Sequence, residues 1–567
     1  MLQSHAKMLR TDIAFVHPPS IYDFRRKDIM PGPISDVVPS TPVFEMYPVG
    51  FVSMLSYLVS HGFRARISNI ASMMVMSDTF DVAKYLKNIE TDVFGIDLHW
   101  LPHVHGAFRI ARMLKEIYPD IPVLMGGFSA SYFSDQIIRG HPEIDFVLKG
   151  DFQEEDVAVL LNRLQGSGSL ESVPSLVYRS GSRVISNPPS SGNPVENVFL
   201  NYKILMRNAL KYHDVKGHLP YADWINNPEA VTIIEHGCQF NCNFCGGSNF
   251  AYRNRYFRDS PVYRNPKVIA EELELAQEVL GAPVFVAGDI NLAGERYYSD
   301  LFRETMERGI TIPLLTEYFR PPGREYLFFL SKAFPDFSAE ISPESSIEKI
   351  REFNGRGYSN SALEKSISNA EAAGCKKFDV YFTLGLSGQG ERELEADINY
   401  AKGLMKNYGS SAMRVYSFIS PLTPFIDPGS LIYENPEKYG FHITARNIDD
   451  YYNLLENGKR WVDFLNYYTD WMSRDDIERL TYRSEIEMIE GRVEAGLVDR
   501  NSATAIISNI KNYIDGKPFQ KETNTYSHLS YLNKDIEWSK KHKITARSLL
   551  VYWYKNLLKM EKGVKEL

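Results

Sequence analysis

The stretch His236-Gly237-Cys238-Gln239-Phe240-Asn241-Cys242-Asn243-Phe244-Cys245-Gly246-Gly247 holds three of the four cysteines of a 567-residue chain, spaced C-x3-C-x2-C. Immediately upstream, Val231-Thr232-Ile233-Ile234 is β-branched and apolar and reads as a buried strand. The cysteines therefore sit on the loop leaving a strand, where backbone can wrap around something small. Three thiolates at this spacing suit an iron–sulfur cluster. With three protein ligands a [4Fe-4S] centre keeps one iron open, a place to bind and reduce a small molecule. Three other readings stand beside it: a structural zinc site with His236 as fourth ligand, a disulfide, and chance clustering. The disulfide is disfavoured because three clustered cysteines cannot pair off.

Bulk composition narrows the class. A chain this long exceeds one core, so roughly two to four domains are expected. Its 44% hydrophobic and 24% charged residues are ordinary for a globular protein. A net charge of −8 with a pI near 6.0 argues against a nucleic-acid binder, which would show a basic face. No apolar run approaches the roughly 20 residues of a membrane span. Met1–Lys7 lacks the apolar core of a signal peptide, so cytoplasm is the expected compartment. High aromatic content, 13%, leans towards large pockets. Outside the motif there is Cys375 alone, following Ala372-Ala373-Gly374, which reads as a small buried hydrophobe. A second all-cysteine cluster cannot be built.

Working outward, strand and helix alternate from residue 11 to 150. Strands are expected at Asp12–Pro19, ending in a Pro-Pro loop, and at Ala65–Ile70, Asp92–His99, Pro122–Gly127 and Phe146–Gly150. Five strands with intervening helices predict a doubly wound, Rossmann-like parallel sheet over 1–165. Ligands bind such sheets beyond the carboxyl ends of the strands, here the Pro18-Pro19-Ser20, Asp97-Leu98-His99 and Gly126-Gly127 loops. Residues 166–225 read as a linker with a small hairpin around Ser180-Gly181. From 231 six strand candidates, Val231–Ile234, Val284–Ala287, Ile312–Tyr318, Phe337–Ile341, Phe378–Leu384 and Met413–Ile419, predict a partial (β/α)6 barrel over 226–435. The remainder, 436–567, reads as a helical C-terminal domain capping the barrel. Within it Ile544–Lys562 is amphipathic and locally basic, suited to a membrane surface or, more commonly, to a lid.

With these residues in view, the motif, its aromatic Phe244 before the last cysteine and the following Gly-Gly resemble the signature of radical S-adenosylmethionine (SAM) enzymes. The resemblance implies that Cys238, Cys242 and Cys245 hold the cluster and that its open iron chelates SAM, which is cleaved to a 5′-deoxyadenosyl radical. Ala287-Gly288-Asp289 resembles the family's Gly-Gly-Glu element, with Ala for Gly and Asp for Glu. Glu317, and Glu344 in Glu340-Ile341-Ser342-Pro343-Glu344-Ser345, fall where carboxylates contact SAM. Leu384-Gly385-Leu386-Ser387-Gly388 resembles the turn near the adenine, which places Leu384 and Leu386 there.

The N-terminal region is similar to the cobalamin-binding domain that precedes many radical SAM domains, through Pro18-Pro19, Pro48-Val49-Gly50, Gly126-Gly127 with Ser129, and Asp145–Asp151. Pro19, Asp97, His99, Gly126, Gly127 and Ser129 are the cofactor positions this implies. The axial histidine motif Asp-x-His-x-x-Gly is broken, since Pro102 stands where Gly is expected. Gly126-Gly127 either lets backbone approach a flat ring or closes a tight turn.

The implied reaction is methyl transfer to an unactivated carbon, with radical cyclisation, rearrangement or oxidation as the alternative, and a non-catalytic cluster protein as a different class. The implied partners are a small-molecule or lipid substrate and a low-potential donor such as a ferredoxin or flavodoxin, with no nucleic acid.

Overall fold

The computed structural model describes residues 10–27, 43–166, 168–189, 194–222, 224–225, 228–256, 258, 260–422 and 425–515. The expected helix at Ile544–Lys562 lies outside them.

Five parallel strands form the N-terminal sheet: β1 (Ile13–His17), β2 (Ala65–Asn69), β3 (Phe94–Asp97), β4 (Val123–Gly126) and β5 (Phe146–Leu148). Their order is β2-β1-β3-β4-β5. Every residue of β1, β2, β3 and β5 is buried, because helices such as Gly50–Ser60 and Val104–Ile117 cover both faces. That is why these strands appear in the sequence as apolar runs rather than alternations. Between β1 and β3 the winding reverses, which opens a crevice at their carboxyl ends.

The hairpin predicted inside the linker is not free. Its first strand β6 (Leu176–Ser180) adds antiparallel to β5, and β7 (Arg183–Ser186) pairs antiparallel with β6 at the edge, completing a seven-stranded sheet. The physical reason is burial: Leu176, Val177 and Tyr178 are apolar and sit under the same core as Phe146–Leu148.

The second sheet holds six parallel strands in sequential order: β8 (Ala230–Ile233), β11 (Val284–Ala287), β12 (Leu314–Tyr318), β13 (Phe337–Glu344), β14 (Lys377–Leu384) and β15 (Arg414–Pro421). Between β8 and β11 lies a short antiparallel pair, β9 (Glu235–His236) with β10 (Val262–Tyr263). Burial alternates along β8, β11, β12 and β15, with buried residues under the outer helices and half-buried ones facing inward. A curved partial barrel has this signature. In β13 the register shifts between Ile341 and Glu344, and Glu344 takes φ 69°. Such a bulge re-aims a side chain at a strand end.

Arg264 joins the two sheets' supports: it pairs with Glu272 and donates to the carbonyls of Ile233 (2.6 Å) and Val198 (2.8 Å). The C-terminal region is helical at Ile448–Asn457, Arg474–Glu494 and Arg500–Ile514, and also carries a small antiparallel pair, β16 (Phe441–Ile443) with β17 (Tyr467–Thr469). Among the described residues no helix is long and apolar enough to cross a membrane.

Candidate active site

β8 ends at Ile233, and the chain turns through β9 directly into the cysteine loop. The loop is fastened by its own polar groups: Asn249 Nδ2 donates to the Cys238 carbonyl (3.0 Å), and the Phe250 amide to Asn241 Oδ1 (2.8 Å). Two backbone amides point at sulfur, Phe240 N to Cys238 Sγ (3.4 Å) and Gly247 N to Cys245 Sγ (3.3 Å). Gly355, at φ 101°, packs on this loop so closely that a Cβ would lie 2.6 Å from Cys242 Cα. It delivers Arg356 beside Cys242 and Glu344, with Arg356 Nε 3.5 Å from Glu344 Oε1.

Burial pushes the Cys238 thiol up to about 11 and raises Cys242 and Cys245 as well, while Arg356 opposes the shift at Cys242. Iron uptake as thiolates therefore releases protons. Among the described residues no three His, Cys, Asp or Glu side chains are arranged to grip a single metal ion. His236, the fourth ligand of the zinc alternative, instead turns Nδ1 towards Asp151 (3.4 Å). Three thiols on one loop, two of them receiving amides, and all bordering one cavity, fit a multi-iron cluster.

Along the barrel's rim, Ala287 and Gly288 border that cavity. The Gly288 amide donates to Glu317 Oε1 (2.5 Å), and the Asp289 amide to Glu235 Oε1 (3.2 Å). Burial raises Glu235 to about 7. The side chain of Asp289 is not brought to the cavity: fully buried, it accepts from the amides of Asn291 (3.0 Å) and Phe319 (2.8 Å) and caps a short turn. Glu344 is buried against Arg356 and Thr383 Oγ1 (2.5 Å). Leu384 and Leu386 are core residues, and Gln389 Oε1 fixes their turn through the Gly385 and Leu386 amides.

The opposite wall comes from the N-terminal sheet. The cavity, about 490 Å³, reaches the ends of β3 and β4 and includes Asp97, His99, Trp100, Gly126 and Gly127 together with Phe244 and the three cysteines. His99 stacks on Phe128 (4.7 Å between centroids), and burial pushes it down to about 4, so its imidazole is neutral. Gly126 and Gly127 differ. A Cβ on Gly127, at φ 109°, would lie 2.5 Å from His99 Cα, so that glycine serves loop packing. A Cβ on Gly126 meets nothing nearer than the Leu148 carbonyl at 4.0 Å. Pro19 and Ser129 are structural neighbours rather than walls: the Pro19 carbonyl abuts Gly106, and Ser129 Oγ donates to the His99 carbonyl (3.1 Å).

Five buried polar atoms of described residues lining the cavity lack a hydrogen-bond partner: Asp97 Oδ2, Gln153 Oε1, Glu154 Oε2, His236 Nε2 and Arg356 Nε. Three are oxygens calling for donors. The amide-fringed periphery of a corrin supplies N–H groups of that kind. Arg356 and Glu235 were not singled out from sequence, and Gln153 and Glu154 entered only within Gly150-Asp151-Phe152-Gln153-Glu154, the segment that stands where the family has Gly-Glu-x-Glu. Glu154 carried a signal, as an acidic residue beside Gly150-Asp151; Arg356 carried none.

Two family models match the chain: the radical SAM superfamily over residues 232–401 and the B12 binding domain over residues 36–160. An uncharacterised methyltransferase of Pyrococcus horikoshii is 24% identical over 407 residues, covering 68% of this chain and 78% of the relative. An anaerobic magnesium-protoporphyrin IX monomethyl ester cyclase of Synechocystis is 27% identical over 184 residues, 32% of this chain and 33% of that protein. The fold is similar to that of the radical SAM methyltransferase TsrM of Kitasatospora setae, solved with cobalamin and a [4Fe-4S] cluster bound. The TM-score is 0.57 at 12% identity, covering 92% of this chain and 100% of the other.

Proposed function

Because the chain belongs to the radical SAM proteins that carry a B12-binding domain, we propose that it methylates an unactivated carbon of a small-molecule or lipid substrate. One observation carries this reading: a single cavity has the cysteine loop as one wall and the ends of β3 and β4 as the other. When bound, the cluster with SAM supplies a hydrogen-abstracting deoxyadenosyl radical, and cobalamin supplies the methyl group.

The chain's own task is to hold and orient. Cys238, Cys242 and Cys245 would hold the cluster, leaving one iron for the amino and carboxylate groups of SAM. Ala287 and Gly288 present bare backbone to the cavity, with Glu317 fixed behind them by the Gly288 amide. Glu344 and Arg356 pair next to Cys242 and would receive ribose hydroxyls and a carboxylate. On the other wall Gly126 would leave room for a flat ring, and the unpaired oxygens of Asp97, Gln153 and Glu154 would accept amide N–H groups. His99, neutral and flat against Phe128, closes the floor. Apolar neighbours such as Phe15, Leu124 and Phe128 exclude water, which protects a carbon radical from quenching.

Anaerobically reconstituted protein, reduced in the presence of SAM, is expected to release 5′-deoxyadenosine, and S-adenosylhomocysteine when a substrate is turned over. Cys242→Ala should abolish cluster absorption and SAM cleavage together. Absence of 5′-deoxyadenosine from the wild type would leave a cluster-bearing binding protein. The cyclase relative favours one second reading, radical ring closure, whose mark is 5′-deoxyadenosine without S-adenosylhomocysteine.

A further inference from the structure

Behind the cavity wall, on the helix Glu391–Tyr408, Asp397 is fully buried and directs both carboxylate oxygens to the ends of β13 and β14. Its Oδ1 accepts from the Ser346 amide (2.5 Å), from Ser346 Oγ (2.6 Å) and from Ser345 Oγ (2.9 Å). Its Oδ2 accepts from Gln389 Nε2 (2.8 Å). A carboxylate is costly to bury, and an apolar residue would fill the same space without that cost. The use of Asp397 therefore lies in what its donors hold.

Two arms lead from it to one residue. The first runs through backbone. Ser345 and Ser346 directly follow Glu344, and their carbonyls are fixed as well: Arg351 donates to that of Ser345 through Nε (2.9 Å) and Nη2 (2.7 Å), and Asn360 Nδ2 to that of Ser346 (2.8 Å). Glu344 itself stands at φ 69°. A residue other than glycine persists there only where its surroundings over-determine it, and such positions gather at ligand sites. The second arm runs through side chains. Gln389, also fully buried, donates through Nε2 to the Thr383 carbonyl (2.9 Å), and Thr383 Oγ1 donates to Glu344 Oε2 (2.5 Å). The backbone arm sets where Glu344 stands. The side-chain arm sets which way its carboxylate turns, with Oε1 left towards Arg356 (3.5 Å). Both arms end on the same strained residue, which packing a helix on a sheet does not require.

We propose that Asp397 is a positioning residue: through these two arms it holds the Glu344 carboxylate in place for the ribose hydroxyls of SAM. This rests on the reading of Glu344 given above.

The test reads SAM binding rather than turnover. Full-length protein with its cluster reconstituted and reduced is titrated with SAM, and the change in the cluster's electron paramagnetic resonance signal gives the dissociation constant. Glu344→Gln should weaken SAM about tenfold, and Asp397→Asn by a similar factor. The double variant should bind no more weakly than Glu344→Gln alone, because two residues acting through one contact do not add. Iron content should match the wild type in all three. Ser345→Ala removes one donor and leaves the carboxylate in place. It should weaken SAM about threefold, and only while Glu344 is present, so the claim is decided even if Asp397→Asn does not fold. Unchanged SAM affinity in Asp397→Asn and Ser345→Ala, with Glu344→Gln weakened, overturns the proposal. Additive losses in the double variant do so too, since Asp397 would then support the fold at large. If Glu344→Gln binds SAM as the wild type does, the ribose reading of Glu344 is what fails, and Asp397 loses this role with it.

Discussion

At the residue scale, adjacent glycines with one sequence signal do two jobs. Gly127 is required by the His99 backbone pressed against it, and Gly126 by nothing in the chain itself. Gly127→Ala forces a Cβ into backbone at a positive φ and should cost about 3 kcal/mol or more, measured by denaturant unfolding. Gly126→Val should leave stability within about 1 kcal/mol yet lower corrinoid content, read by cobalt analysis of the purified protein. Equal destabilisation by both would remove Gly126 from the binding wall. The three cysteines were legible because three soft ligands on eight residues have few other uses. For Asp289 the resemblance carried only a backbone role; the turn of its side chain towards Asn291 and Phe319 is not legible in sequence. Arg356 was invisible because its meaning comes from Cys242, more than a hundred positions away.

At the element scale, parallel strands were easy to read, since burial on both faces gives continuous apolar runs bounded by turns. The β6–β7 hairpin reads equally well as a local unit, but its pairing with β5 depends on a core assembled from elsewhere. Two buried histidines fasten these elements. His103 lies 2.9 Å through Nε2 from the Phe44 carbonyl, and His218 2.7 Å through Nδ1 from the Asp214 carbonyl, with the other ring nitrogen of each unpaired. Burial lowers both to about 4. The folded form therefore resists protonation that the unfolded chain, near 6.5, accepts. Their contribution is fully present above about pH 6.5 and is lost as pH falls from there to about 4, on the order of 3 kcal/mol for each. The melting temperature of cofactor-free protein should drop steadily between pH 7 and 5. His103→Gln or His218→Gln should flatten the slope, and an unchanged slope in both would contradict the assignment.

At the scale of the whole molecule, the cavity's two walls come from different sheets, joined by Asp151 on one side and His236 and Arg258 on the other. A ligand held there should couple them. Adding hydroxocobalamin to cofactor-free protein is expected to slow amide exchange at residues 97–100 and 126–128 and also at 235–247. Protection confined to the N-terminal segments would mean that the barrel does not face the ring.

The most direct test is metal analysis with electron paramagnetic resonance on anaerobically purified protein, before and after SAM is added to the reduced sample. The account predicts iron and sulfide for one [4Fe-4S] cluster, cobalt in the same chain, and a cluster spectrum that changes when SAM binds the open iron. Zinc in the cysteine loop, or a spectrum indifferent to SAM, would contradict it.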